Sequence, residues 1–292
     1  MNSFTIKDLE NLSGIKAHTI RIWEQRYDLI KPCRTCTNIR YYSDDELKKL
    51  LNIALLNKYG YKISHINKMD EQELKEKILT LTQCEAQQEK IINSLIECMI
   101  GLETEVLENT IDNYIAKKGI EKAAVQIIFP FLLKVNILWL TNQIVPAQEY
   151  LVSNIIRKKI ILAIESTATP IKTNKAVLLF LPEGEHHELG LLFIHYLLKK
   201  HGVAVTYLGS NIPLSDVEYV ANLKKPDYIY SHLTCVNPKF NFDKFISGVS
   251  QTFSKTKIII SGRLTQSYEK KIPAHIQFKK SFTEVMEFVE TL

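Results

Sequence analysis

Apolar positions along the chain change period three times. From Phe4 to Leu12 they recur at helical spacing, with Phe4, Leu9 and Leu12 on one side, and Gly14 ends the run. Ala17 to Arg26 predicts a second helix whose Ile20 and Trp23 face the first. Two short helices about a glycine-containing turn form the helix-turn-helix pattern. Pro32 to Tyr42 lacks periodicity and reads as a hairpin loop. Ser43 with Glu46 three residues on then opens a helix carrying Leu47, Leu50, Leu51 and Ala54 inward, and Ser64 begins a further short one.

From about Glu76 the pattern is helical almost throughout. Ile128, Phe131, Leu132, Val135, Leu138 and Trp139 lie along one stripe, and similar stripes run through Leu95–Met99, Val106–Ile115 and Tyr150–Ile164. Four helices with short joins predict a small bundle. After Pro170 and the mostly polar run Ile171 to Lys175, the period changes again. Ala176–Leu181, Val203–Leu208, Tyr228–Leu233 and Ile258–Ser261 are apolar runs of strand length separated by helical stretches, the pattern of a parallel sheet covered on both faces. The expected class is therefore multidomain α and α/β: a winged helix-turn-helix over residues 1–75, a four-helix bundle cap over 76–170, and a flavodoxin-like doubly wound parallel sheet over 171–292.

Composition changes this picture in only a few places. Hydrophobic residues make up 46% and charged residues 24%, the balance of globular domains. The net charge of +5 is unevenly placed: Lys16 to Tyr42 holds six basic residues against two acids, beside Trp23, Tyr27, Tyr41 and Tyr42. A cationic, aromatic surface of that kind suits a phosphate backbone. The most hydrophobic stretch, Ile127 to Leu140, is interrupted by Lys134 and Asn136 and is short for a bilayer span, and Met1 to Leu12 lacks a secretory pattern, so a cytoplasmic protein with no membrane partner is expected. The cysteines Cys33, Cys36, Cys84, Cys98 and Cys235 are odd in number and scattered, which suits reduced thiols. Cys33-x-x-Cys36 has no second Cys/His pair nearby to complete a zinc site.

Thr19-Ile20-Arg21-Ile22-Trp23-Glu24-Gln25-Arg26-Tyr27-Asp28-Leu29 and Arg34-Thr35-Cys36-Thr37-Asn38-Ile39-Arg40-Tyr41-Tyr42 resemble the recognition helix and wing of MerR-family regulators. Asn38 stands where glycine is common, and asparagine tolerates a left-handed turn. The resemblance implies a transcription regulator that binds a pseudo-palindromic double-stranded DNA operator as a dimer or tetramer. Lys16, His18, Thr19 and Arg21 are then expected in the groove, with Arg26, Tyr27, Arg34, Arg40 and Tyr41 on the backbone and Trp23 in the core.

In the third segment Glu185-x-His187-x-x-Gly190, Ser231-x-Leu233 and Ser261-Gly262 follow predicted strands, where doubly wound sheets bind ligands. As a set they resemble the motifs of cobalamin-binding domains, with Ser261 in place of a common glycine. The resemblance implies adenosyl- or methylcobalamin, with His187 as the lower cobalt ligand, Glu185 as its hydrogen-bond acceptor, Gly190 and Gly262 close to the cofactor, and Ser231 and Leu233 lining its site. His186 reads as a plain polar tip. In light-sensing MerR-type regulators a helical cap carries Trp-x9-Glu-His. Trp139 and Glu149 match here, whereas Tyr150 stands in the histidine position and Leu140 follows the tryptophan. Three functions stay open at this point: a repressor controlled by cobalamin, a cobalamin-independent regulator using the same fold for assembly, and a corrinoid carrier or cobalamin-dependent enzyme. The winged head weighs against the last.

Overall fold

The computed structural model describes residues 4–35, 38–81, 84–141, 143–168, 172–234, 240–266 and 268–292. Cys36, Pro170, Ile171 and Cys235 lie outside these residues. The chain divides into two compact units, Met1–Ile155 and Ile156–Leu292.

The first unit begins with α1 (Ile6–Ser13) and α2 (Ala17–Tyr27), followed by a two-stranded antiparallel hairpin of β1 (Cys33–Arg34) and β2 (Arg40–Tyr41). Phe4 is not part of α1. It pairs with Tyr42 through two backbone hydrogen bonds of 2.9 and 2.8 Å, which tie the start of the chain to the base of the wing. Thr5 and Asp8 form a reciprocal capping box at the head of α1. Asn38 has φ 64°, the left-handed turn its residue type allows. The Ser43 side chain accepts from Glu46 N and starts α3 (Asp44–Lys58), whose Leu47, Leu50, Leu51 and Ala54 are all buried. α4 (Ile63–Ile66) and α5 (Glu71–Leu79) complete this part, with α5 running across position 75.

The helices that follow are α6 (Cys84–Gly101), α7 (Thr104–Lys118), α8 (Ile120–Ala123), a π-helical turn over Ala124–Ile128, α9 (Phe129–Leu140) and α10 (Pro146–Ser166), which continues into the second unit. The run Ile120–Trp139 is long and apolar enough to cross a membrane by length and composition (mean hydropathy 1.4). Its stripe of Ile127, Phe131, Val135 and Leu138 is buried among the helices.

The second unit is a five-stranded parallel sheet in the order β4-β3-β5-β6-β7, from β3 (Ala176–Pro182), β4 (Ala204–Ile212), β5 (Tyr228–His232), β6 (Lys257–Ser261) and β7 (Ile276–Lys279). This is the flavodoxin-like order. The fifth strand went unpredicted. Ile276-Gln277-Phe278-Lys279 is a short edge strand whose alternation is brief, and lysines stand at its end. α11 (Leu189–Lys200), α12 (Leu214–Lys224), α13 (Phe242–Thr252), α14 (Arg263–Gln266) and α15 (Phe282–Glu290) cover the sheet. One core joins Leu178, Phe180, Ile229, Ile258 and Ile260 of the strands to Val217 and Ala221 of α12 and Ile246 and Val249 of α13. On the opposite face Phe193 of α11 stacks with Phe282 at 6.1 Å, and Tyr228 of β5 meets Phe288 edge-on at 5.3 Å.

Candidate functional site

The head presents one face of α2. Ile20 (0% exposed) and Trp23 (6%) turn inward, whereas Lys16, His18, Arg21, Gln25 and Arg26 are exposed and Thr19 and Tyr27 partly so. His18 Nε2 lies 3.3 Å from Thr19 Oγ1. The Arg26 guanidinium stacks over the Tyr27 ring at 5.6 Å, a placement that stiffens both. On the wing, Arg34 donates to Asn38 Oδ1 at 2.7 Å. Arg40 is placed differently from Arg34: its Nε donates to Glu24 Oε1 at 3.0 Å, and the Tyr42 hydroxyl donates to Glu24 Oε2 at 3.3 Å. Glu24 thus clamps the wing to the recognition helix, and Arg40 braces that joint. Burial, followed by the Glu24 charge, pushes the Tyr42 phenol up to about 12. Tyr41 is partly exposed. Two cations, Arg21 and Arg26, and the exposed His18 therefore share one helix face with Gln25, a residue the motif did not single out.

Within the sheet unit, the order of strands places a topological switch between β3 and β5, because the chain leaves β3 toward β4 and then crosses to β5. The loop after β3 carries Glu185 and His187. Glu185 is fully buried, and its Oε1 accepts from both the His187 backbone N at 3.0 Å and the ring Nδ1 at 2.9 Å. The His187 side chain is 54% exposed, so a buried anchor holds an imidazole that reaches the surface. With Nδ1 donating to the carboxylate, the lone pair is on Nε2, the tautomer a metal ligand requires. Asn211, at φ 59°, holds this loop: its N donates to Glu185 O at 3.1 Å and its Oδ1 accepts from Gly184 N at 2.9 Å.

The ends of β5 and β6 meet α11 beside this loop. A Cβ on Gly190 would come within 2.3 Å of the His232 ring, and one on Gly262 (φ +100°) within 2.2 Å of Leu233 O. Both glycines are therefore required by close packing at the crevice. Leu233 is buried in the apolar core rather than lining an open surface, and its N donates to Ser261 O at 2.9 Å. Ser231 Oγ is buried and has no hydrogen-bond partner among the described residues. A buried hydroxyl left unpaired costs about 1–3 kcal/mol, which marks a position where a ligand group is wanted.

His232 is the residue that motif reading passed over, because it is the variable middle position of Ser-x-Leu. Tyr230 donates to Ser261 Oγ at 2.7 Å, so the serine proton points to His232 Nδ1, 2.6 Å away. That geometry puts the His232 proton on Nε2 and keeps the ring neutral. Burial, opposed by the Glu185 charge, lowers its pKa to about 4. A histidine directly after Ser231, at the end of the strand Tyr228–His232, is the signal in the sequence that could have found it. Glu188, at the start of α11, accepts from the Tyr207 hydroxyl at 3.0 Å and pairs with Arg157 at 2.9 Å.

Of the proposed cap residues, Trp139 is 39% exposed and Glu149 partly buried, with Glu149 accepting from Ser153 at 2.9 Å. Tyr150 is 61% exposed. No cluster of three His, Cys, Asp or Glu side chains fit to hold a bare metal ion occurs among the described residues. The donor set at the switch point is instead one imidazole with an anchored Nδ1, an orphaned serine hydroxyl and two glycines in tight quarters. That set fits a single imidazole ligand to a metal carried in by an organic cofactor.

Residues 4–73 match the model of the MerR HTH family regulatory protein. Over 275 residues, 91% of this chain and 91% of the relative, the sequence is 25% identical to the HTH-type transcriptional repressor CarH of Myxococcus xanthus. It is also 25% identical over 227 residues to the HTH-type transcriptional repressor CarA of the same organism, covering 77% of this chain and 74% of that one. Among solved structures, the monomethylamine corrinoid protein of Methanosarcina barkeri superposes with a TM-score of 0.56 at 12% identity, covering 70% of this chain and 100% of that one. The chain thus joins a MerR-type helix-turn-helix head to the fold of a corrinoid protein.

Proposed function

We propose that this chain is a DNA-binding transcription regulator, a repressor rather than an enzyme, whose assembly or DNA affinity is set by cobalamin. The observation that carries the reading is the Glu185–His187 pair at the switch point of the sheet, in a chain whose head displays Arg21 and Arg26 on an exposed recognition helix. The relatives named as transcriptional repressors support the first half, and the corrinoid-protein fold supports the second.

His187 would hold the cobalt of the cofactor through Nε2, kept in the ligating tautomer by Glu185. Gly190 and Gly262 keep the crevice floor thin, and the Ser231 hydroxyl offers an unsatisfied donor and acceptor to a buried part of the cofactor. Bound cobalamin would supply a cobalt centre that the His187 imidazole can hold and that carries an adenosyl or methyl group. Control of DNA binding then requires only that one oligomeric arrangement binds the cofactor better than the other. Tyr150 in place of histidine favours a sensor that does not depend on light. The partners are a double-stranded operator and further copies of the chain, in a dimer or tetramer, and the setting is cytoplasmic.

The test is purification with adenosylcobalamin and with methylcobalamin, in the dark, followed by visible spectroscopy and DNA gel shifts. The reading expects a bound corrinoid whose spectrum shows histidine ligation, lost in His187→Ala, and a DNA affinity that changes with loading. DNA binding with no corrinoid retained would leave the cobalamin-independent regulator, in which the same fold serves assembly alone.

A further inference from the structure

The recognition face of α2 has an apolar centre. Ile22 is 48% exposed, although the helix has a buried side on which Ile20 and Trp23 take up the core positions. On the helical wheel Ile22 shares its side with His18, four residues before, Gln25, three after, and Arg26, four after, with Arg21 adjacent. The one acid of the helix, Glu24, is turned to Arg40 and Tyr42 of the wing. Asp28, which caps the helix, lies 3.2 Å from Lys31. The side chain therefore stands in a polar, cationic surround that repels basic partners and suits a polyanion. About half of the Ile22 side chain stays in water, so the position forgoes roughly half of the ~1.5–3 kcal/mol that full burial of an isoleucine is worth. Its β-branch also limits χ1 in a helix, so its methyl groups are held in place before any partner arrives.

Within a polyanionic duplex, the apolar group exposed in the major groove is the 5-methyl of thymine. We propose that Ile22 is a specificity-determining residue of the head, reading the 5-methyl group of one thymine in each half-site by van der Waals contact while Arg21 and His18 address polar base edges. This rests on the DNA-binding reading and goes beyond it by naming the base feature and the side chain. The resulting preference is thymine over cytosine, and thymine over uracil, at a single position per half-site.

The experiment uses the full chain. A duplex is selected from a randomised library by the wild-type protein, and each thymine is then replaced in turn by 2′-deoxyuridine, which removes only the methyl group. Affinities of the wild type and of Ile22→Ala, both checked for folding by circular dichroism, are read by fluorescence anisotropy. The inference expects one thymine per half-site whose replacement weakens wild-type binding roughly three- to tenfold, on the scale of one or two buried methyl groups. Ile22→Ala should bind the parent duplex weaker by a similar factor and lose its response to that replacement. Equal penalties in both proteins, or no sensitive thymine, would overturn the inference while leaving DNA binding intact. Failure of the wild type to retain any duplex would overturn both.

Discussion

Single residues at the two sites are held by unlike forces. Arg21 is exposed and makes no hydrogen bond or ion pair among the described residues, so Arg21→Ala should leave thermal stability unchanged and weaken operator binding by about 1–3 kcal/mol, measured by gel-shift titration. Gly262 is the opposite case. Its φ of +100° and the 2.2 Å approach to Leu233 O leave no room for a methyl group. Gly262→Ala should cost about 1–3 kcal/mol in urea unfolding, from backbone strain and displacement of the β5 end. Gly190→Ala meets the His232 ring at 2.3 Å, with no positive-φ strain, so its penalty should come from breaking the His232–Ser261 hydrogen bond.

At the level of elements, the end of β5 carries a proton-dependent contribution. His232 titrates near 4 when folded and near 6.5 when unfolded, so between these values the unfolded chain binds more protons. Stability from this group is present above about pH 6.5 and is lost as pH falls toward 4, by at most about 3 kcal/mol. Urea midpoints measured from pH 7 to 4.5 should show this slope, and His232→Gln should flatten it. A slope unchanged in the variant would assign the acid sensitivity to other groups. In the first unit, α1 and the segment after α9 share a polar contact: Gln143 Nε2 donates to Asp8 Oδ2 at 3.0 Å, the carboxylate that also caps α1 through Thr5. Asp8 is 2% exposed, so Gln143→Ala should destabilise that unit by about 1 kcal/mol, read as a shift in its melting temperature.

For the whole molecule, the two units are separate compact bodies joined through α10, and each should answer to its own ligand. Cobalamin at a hundredfold excess over its dissociation constant should stabilise the sheet unit by about 2.7 kcal/mol, because it binds only the folded state. His187→Ala should abolish that gain and also lower the stability of the cofactor-free protein by about 1–3 kcal/mol, because the buried Glu185 carboxylate loses its ring donor. Calorimetry with and without cobalamin checks both statements. An equal gain in wild type and variant would remove His187 from the site.

Much of this was written in local pattern. Helical spacing announced α1, α2, α3 and the bundle helices, Ser43 and Asn38 behaved as their side chains dictate, and four apolar runs marked four strands. These are properties of a residue and its near neighbours along the chain, so periodicity and capping chemistry suffice to read them. The short β7 escaped because an edge strand is defined by the strand beside it, not by its own few residues. Phe4 left α1 for a pairing with Tyr42, and Arg40 turned to Glu24, for the same reason: the partner is distant in sequence. The motif carrying Glu185 and His187 was visible, yet His232 became part of the site only when the sheet brought β5 and β6 against α11. Sequence alone determined which segments are helix or strand and which residues can do chemistry. Tertiary structure decided which of them are buried together, because burial and long-range pairing depend on contacts that no local pattern encodes.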